Sequence, residues 1–84
     1  MEFRRLELQV QGPADAARQV IEPLLDASAK RWEFVRALPG PVGGEVLQYR
    51  VRLKKSVPAE SLVQSLRAGA PAHVTGVELA DGPR

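Results

Sequence analysis

Hydrophobic and polar positions alternate most regularly in residues 46–54. The apolar residues take every second position: Leu47, Tyr49, Val51 and Leu53. The positions between them are polar or basic: Gln48, Arg50, Arg52 and Lys54. Successive side chains of a β-strand point to opposite faces, so this segment predicts a strand with one apolar and one basic face. We expect a central strand with its apolar face on the core, because a helix would spread these apolar residues around its circumference.

Three other segments share this period of two and predict strands: residues 3–11, 30–38 and 74–80. In the second of them we expect Trp32 and Phe34 to face inward. The alternation becomes irregular at residues 35–36, which favours a strand at the edge of the sheet. Residues 38–44 are rich in glycine and proline, and they predict a hairpin turn that leads into the regular strand.

Two segments have apolar residues at helical spacing: residues 13–28 and 58–69. Each begins at a proline, which suits the first helical turn. Gly12 is the predicted N-cap of the first helix, and either Ser56 or Val57 is the predicted N-cap of the second. Pro23 interrupts the first helix and removes one backbone hydrogen bond. Because the apolar stripe continues in phase across it, we expect a bend there with the proline on the solvent side.

The predicted order of elements is strand, helix, strand, strand, helix, strand. Each helix has a single apolar stripe, and each regular strand has a single apolar face. Two layers bury all of these surfaces, with a four-stranded antiparallel sheet in one layer and both helices in the other. Right-handed crossovers then give the strand order 4-1-3-2. The 84-residue chain is therefore predicted to form one α+β domain, residues 1–84, with the ferredoxin-like fold.

Composition narrows the range of partners and compartments. The chain has 44% hydrophobic and 26% charged residues, which is typical of a globular domain. A net charge of +2 is lower than expected of a domain that coats phosphates, so nucleic acid is not expected as a partner. Cysteine is absent, which excludes disulfides and thiolate metal sites and favours the cytoplasm. The sequence shows neither a signal peptide nor a membrane span.

The sheet face opposite the helices is the candidate binding surface. On the two central strands it is expected to carry six polar side chains: Arg5, Glu7, Gln9, Gln48, Arg50 and Arg52. One interpretation is a basic platform for an anion or nucleic acid. A separate candidate for an anion is the N-terminus of the second helix, with Lys54, Lys55 and Ser56 just before it. The other interpretation is a solvent-exposed face with Arg–Glu pairs across strands. Stacking of RNA bases is not expected, since these six positions carry no aromatic side chain.

The sequence lacks the residue sets that are typical of catalysis. His73 is the only histidine, and no cysteine or acidic cluster accompanies it as a metal ligand. The serines have no evident general base, which argues against a nucleophile. We therefore expect a protein that is not an enzyme, with no catalytic residues, no metal site and no cofactor.

Four segments resemble a known family: residues 29–32 (AKRW), 49–57 (YRVRLKKSV), 62–67 (LVQSLR) and 72–74 (AHV). Together they look like the soluble C-terminal domain of an uncharacterised bacterial membrane-protein family whose layout is similar to that of MgtC-type proteins. The resemblance implies an ACT-like, ferredoxin-like domain on the cytosolic face of the inner membrane. It also implies a regulatory or interaction role beside a membrane-embedded part of the same protein.

These observations predict a non-catalytic regulatory or protein-interaction domain, either as the cytosolic tail of a membrane protein or as a cytoplasmic protein. We expect a homo-oligomer that forms through an edge strand or a sheet face. The fourth strand is the favoured edge, because the second strand carries Lys30, Arg31 and Arg36. The alternative hypothesis is an anion-sensing or nucleotide-sensing domain. Its candidate binding residues are Arg5, Arg50, Arg52, Lys54, Lys55 and Ser56.

Overall fold

The elements of the fold follow the predicted order. The computed structural model describes residues 3–80, which form β1 (Arg4–Val10), α1 (Ala14–Ser28), β2 (Ala29–Pro39), β3 (Glu45–Leu53), α2 (Ala59–Gly69) and β4 (Val74–Ala80). The four strands form one antiparallel sheet in the order β2-β3-β1-β4. This is the predicted order 4-1-3-2 counted from the other edge, so the ferredoxin-like α+β fold is confirmed.

Alternation along the strands places the core between the sheet and the helices. The central strands contribute buried side chains at every second position: Leu6, Leu8, Val10, Leu47, Tyr49 and Val51. The helices contribute side chains that are fully buried: Ala17, Ile21, Leu25, Leu62 and Leu66. Burial of one large aliphatic side chain stabilises a fold by about 1.5–3 kcal/mol. The joint burial of these two apolar layers therefore drives the folding of this short chain.

The two helices are short, and within residues 3–80 neither combines the length and the apolar character that crossing a bilayer requires. Their N-termini differ from the prediction. The N-caps are Pro13 and Pro58, with ψ angles of 138° and 153°, and neither forms a side-chain cap hydrogen bond. The predicted caps, Gly12 for α1 and Ser56 or Val57 for α2, are wrong. An N-cap residue has an extended backbone, whereas Gly12 has a φ of 79° and turns the chain, so the cap falls on the next residue.

Two positions interrupt regular structure, one in α1 and one in β2. Pro23 lies inside α1 and is exposed to solvent, as predicted, so it does not disturb the buried stripe. In β2 the register shifts between Phe34 and Arg36, which leaves Val35 as an extra, bulged residue. The bulge causes the irregular alternation and turns Arg36 to the side of the sheet away from the helices. β2 lies at an edge of the sheet, as predicted.

The hairpin between β2 and β3 closes at its glycines. The N–H of Gly40 donates to the carbonyl oxygen of Gly44 over 3.0 Å. Gly44 has a φ of 68°, and a Cβ at this position would collide with the carbonyl oxygen of Val10. The turn therefore requires glycine both for its backbone angle and for its close approach to β1.

Candidate functional site

The helices pack against one face of the sheet, and the opposite face, termed the open face, is uncovered within residues 3–80. The central strands place on it the six side chains that alternation predicts: Arg5, Glu7, Gln9, Gln48, Arg50 and Arg52. The register sets Arg5 opposite Arg50 and Glu7 opposite Gln48. The intervening side chains, such as Leu6, are buried on the helix side. The middle of the open face is therefore polar, and Val46 of β3 adds an apolar side chain opposite Gln9.

Pairing between strands arranges these side chains in rows across the open face. One row contains Glu33 of β2, Arg50 of β3 and Arg5 of β1. The next row runs from β2 to β4 and contains Arg36, Gln48, Glu7 and Glu78. In the second row the positive charge lies on β2, and both carboxylates lie on β1 and β4. The charges on the open face are thus unevenly distributed.

The polar contacts on the open face are sparse. Nη1 of Arg50 lies 3.4 Å from Oε1 of Glu33, and these side chains are 43% and 59% exposed. Water and salt screen an ion pair of this kind, which stabilises a fold by about 0–1 kcal/mol. Nε2 of Gln48 donates a hydrogen bond of 2.8 Å to Oε2 of Glu7. The expected Arg–Glu pairing across strands therefore occurs at Arg50 and Glu33, where it is weak.

A hollow of about 320 Å³ lies between the two rows and is termed the open-face hollow. Six of the residues that line it have side chains on the open face or in the β2 bulge: Arg5, Glu7, Val35, Arg36, Gln48 and Arg50. Neither Arg5 nor Arg36 forms an ion pair with any residue in the part of the chain that the structure describes. The Nε atom of Arg50 is buried and has no hydrogen-bond partner there. The hollow therefore combines three guanidinium groups with unused donor capacity.

The structure divides the six residues predicted to bind an anion into two groups. Arg5 and Arg50 border the open-face hollow, and Arg52 lies two residues further along β3 on the same face. The other three are exposed in the turn after β3: Lys54, Lys55 and Ser56. The N–H of Val57 closes this turn by donating to the carbonyl oxygen of Lys54 over 3.0 Å. The turn residues do not line the hollow, so the two candidates lie at separate places on the molecule.

Two residues beside Arg50 and the hollow are not among those predicted. Arg36 reaches the open face because Val35 is bulged, whereas strict alternation along β2 would place Arg36 on the helix side. Phe3 precedes β1, and the centroid of its ring lies 5.0 Å from Cζ of Arg50. Alternation continued backwards from Arg5 locates Phe3, so the sequence does contain that signal. It contains no comparable signal for Arg36.

A separate polar cluster lies on the helix side, where α1 crosses β2 and β3. Oη of Tyr49 donates to Oε2 of Glu22 over 2.8 Å, and Nε of Arg18 donates to the same oxygen over 2.6 Å. Cζ of Arg18 also lies 3.8 Å from the ring centroid of Phe34. Burial, together with the hydrogen bond to Glu22, raises the pKa of Tyr49. The phenol therefore keeps its proton into the alkaline range, and the cluster attaches α1 to the sheet.

Within residues 3–80, no three His, Cys, Asp or Glu side chains are placed to bind a metal ion together. His73 is half-buried in the loop before β4. Its backbone N–H donates to the carbonyl oxygen of Ala70, and its own carbonyl oxygen accepts from the N–H of Gln11. The backbone of His73 thus fixes the loop that connects α2 to β4.

The two edges of the sheet differ in how they are protected. β2 shifts register twice and contains residues that discourage pairing with another chain: Lys30, Arg31, Arg36 and Pro39. β4 contains one charged residue, Glu78, and shifts register once, near its first residues. The edge at β4 is therefore better suited to pairing with another strand.

No protein-family model matches this sequence, and no curated protein or solved structure matches it. The resemblance to the MgtC-like family therefore stays a prediction. Function has to be inferred from the open face, its hollow and the sheet edges.

Proposed function

We propose that this chain is a non-catalytic regulatory or protein-interaction domain that assembles with a second copy of itself through the edge of β4. The observation that carries the proposal is the contrast between the two edges of the sheet. β2 combines bulges, basic residues and a terminal proline, whereas the seven residues of β4 have one charge, on Glu78. An unprotected edge offers its backbone N–H and C=O groups to a further strand.

An antiparallel pair of β4 strands related by a two-fold axis would extend the sheet without interrupting either layer. With the axis at Val77, the Glu78 of each copy lies opposite the Gly76 of the other. Paired residues point to the same face, so the helices of both copies stay on one side of the joined sheet. Val77 and Leu79 are half-buried and pack against the core of one copy. Pairing would bury them further, which favours association.

Light scattering over a range of protein concentrations tests the proposal directly. One chain has a mass of 9.2 kDa, so a dimer is expected to show twice this mass at high concentration and to dissociate on dilution. A mass of one chain at the highest soluble concentration contradicts self-association.

Cross-linking through single cysteines tests which edge is used. The natural chain contains no cysteine, so each variant has one thiol. Glu78→Cys places it on β4, and the matched control Glu33→Cys places it on the same face of β2. With a short bismaleimide, Glu78→Cys is expected to form covalent dimers, whereas Glu33→Cys is expected to form none, because its thiols lie far from the β4 junction of the dimer. Equal cross-linking of both variants, or cross-linking of Glu33→Cys alone, argues against pairing at β4.

A further inference from the structure

Two arginines face each other across the centre of the open face. Arg5 of β1 lies directly opposite Arg50 of β3, and like charges in this arrangement destabilise a sheet. Glu33 offsets this repulsion only in part, because its contact with Arg50 is 3.4 Å long and both side chains are largely exposed. Arg5 forms no ion pair within residues 3–80. An anion between the two guanidinium groups would remove this repulsion.

The bulge in β2 adds a third guanidinium to the same place. Arg36 lies opposite Gln48, in the row next to Arg50, and lines the open-face hollow. Glu7 lies on the other side of Gln48, which donates to one of its oxygens. Gln48 thus separates the carboxylate from Arg36, and the charged residues that line the hollow are three arginines against one glutamate.

The guanidinium of Arg50 has two weak contacts and, within residues 3–80, retains a donor without an acceptor. The ring of Phe3 lies 5.0 Å from its Cζ, and Glu33 contacts its Nη1. Its Nε is buried and lacks an acceptor within the described residues. A guanidinium with an unused donor favours a ligand that has several acceptor oxygens.

We propose that the open-face hollow binds a small oxyanion, a phosphate or a carboxylate, between Arg5, Arg36 and Arg50. Both groups accept paired hydrogen bonds from guanidinium groups. The volume of about 320 Å³ is near the lower end of ligand pockets and fits a small molecule. The hollow lies on β1, β2 and β3, so pairing of β4 would leave it open. Binding in the hollow is therefore independent of self-association.

NMR titration of the wild-type protein tests the site. Inorganic phosphate and succinate are added in separate series, and sodium chloride at matched ionic strength is the reference. The Nε–Hε signals of Arg5, Arg36 and Arg50 are expected to shift saturably, while the signal of Arg31, on the same face outside the hollow, stays in place. The series with the lower dissociation constant identifies the preferred oxyanion. The proposal is overturned if the shifts increase linearly with oxyanion concentration, or if sodium chloride at the same ionic strength causes equal shifts.

Three variants distinguish a specific site from general attraction to positive charge. Arg36→Gln removes one guanidinium and is expected to weaken binding about tenfold. Arg31→Gln makes the same change outside the hollow and is expected to leave the affinity unchanged. Glu7→Gln removes a nearby negative charge and is expected to strengthen binding about threefold. Equal weakening by Arg36→Gln and Arg31→Gln, in proteins whose amide spectra show an intact fold, overturns the site.

Thermal unfolding provides a second measure of oxyanion binding in the hollow. A ligand that binds only the folded state raises the folding equilibrium constant about elevenfold at a concentration ten times its dissociation constant. The better of the two oxyanions is expected to raise the melting temperature of the wild type and of Arg31→Gln by similar amounts. Its effect on Arg36→Gln is expected to be smaller, and an equal effect on all three proteins contradicts binding in the hollow.

Discussion

At the scale of single residues, the hydroxyl of Tyr49 links β3 to α1. It donates to Glu22 over 2.8 Å, and Tyr49 is 1% exposed. Tyr49→Phe is expected to lower the free energy of unfolding by about 1.5 kcal/mol, the low end for a hydrogen bond to a charged acceptor, because Glu22 keeps its contact with Arg18. Urea unfolding followed by the fluorescence of Trp32, the single tryptophan, measures the change. An unaltered free energy would show that the hydroxyl does not attach the helix.

The same contact makes stability depend on pH in the alkaline range. Burial first, and then the hydrogen bond to Glu22, raises the pKa of Tyr49 above the value of about 10 expected in the unfolded chain. The folded state holds the proton more tightly, so this stabilisation is complete below about pH 10 and is lost as the pH rises through the folded pKa. The wild type is therefore expected to lose stability above about pH 10 more steeply than Tyr49→Phe. Tyr49 is the only tyrosine, so tyrosinate absorbance reports it alone, and titration of the folded protein near pH 10 contradicts the assignment.

Alternation locates single residues well where burial constrains them. It places Tyr49 on the core, and it places Arg5 and Arg50 on the open face, because a shift by one residue would expose an apolar face. It does not reveal the bond between Tyr49 and Glu22, since that contact depends on how α1 lies across the sheet. Nor does it show that Arg36 lies on the open face. An irregular alternation at residues 35–36 is expected from a bulge and equally from a loop, so the sequence does not distinguish them.

At the scale of elements, the bulge in β2 determines which side chains face α1. Phe34 packs edge-on against Tyr49, with ring centroids 5.4 Å apart. Deletion of Val35 removes the extra residue, so Phe34 keeps this contact and Arg36 stays opposite Gln48. We expect the free energy of unfolding to change by less than about 1 kcal/mol. The amide NMR spectrum and urea unfolding of the deletion variant check both expectations.

Deletion of Glu33 is the matched control for the bulge. It also shortens β2 by one residue and also lets the bulge disappear, but it turns Phe34 to the open face and Val35 toward α1. The stacking of Arg18 on Phe34 and the contact with Tyr49 are then lost. We expect a loss of about 2 kcal/mol, in the range for exposing an apolar side chain. Equal losses in the two deletions would mean that the bulge does not set the orientation of Phe34.

At the scale of the whole molecule, the architecture follows from the sequence more completely than the function does. Every element except the irregular β2 has one apolar face, and a single two-layer arrangement buries all of these faces. The residues of the open face are under no such constraint, because any polar side chain is tolerated there. The sequence therefore predicts that Arg50 and Arg52 face outward. It does not predict the hollow beside Arg50, because the bulge in β2 is needed to place Arg36 on the same face.

Assembly of two whole molecules through β4 is expected to depend on salt concentration. In a β4 pair with its axis at Val77, the two copies of Glu78 lie on the same face, diagonally across the junction and roughly 7–8 Å apart. Charges at this distance repel each other, and salt screens them, since the Debye length is about 10 Å at 0.1 M. Added sodium chloride is therefore expected to strengthen the dimer about twofold to threefold in sedimentation equilibrium.

Two variants assign this salt effect to Glu78. Glu78→Gln is expected to strengthen the dimer at low salt and to remove most of the salt dependence, because the repelling pair is gone. Glu33→Gln makes the same change on β2, far from the junction, and is expected to retain the salt dependence of the wild type. A dimer that salt weakens would instead be held by attraction between opposite charges. In that case the copies would meet through the open face, where Arg50 and Arg36 could reach the carboxylates of a second copy, and pairing at β4 would be wrong.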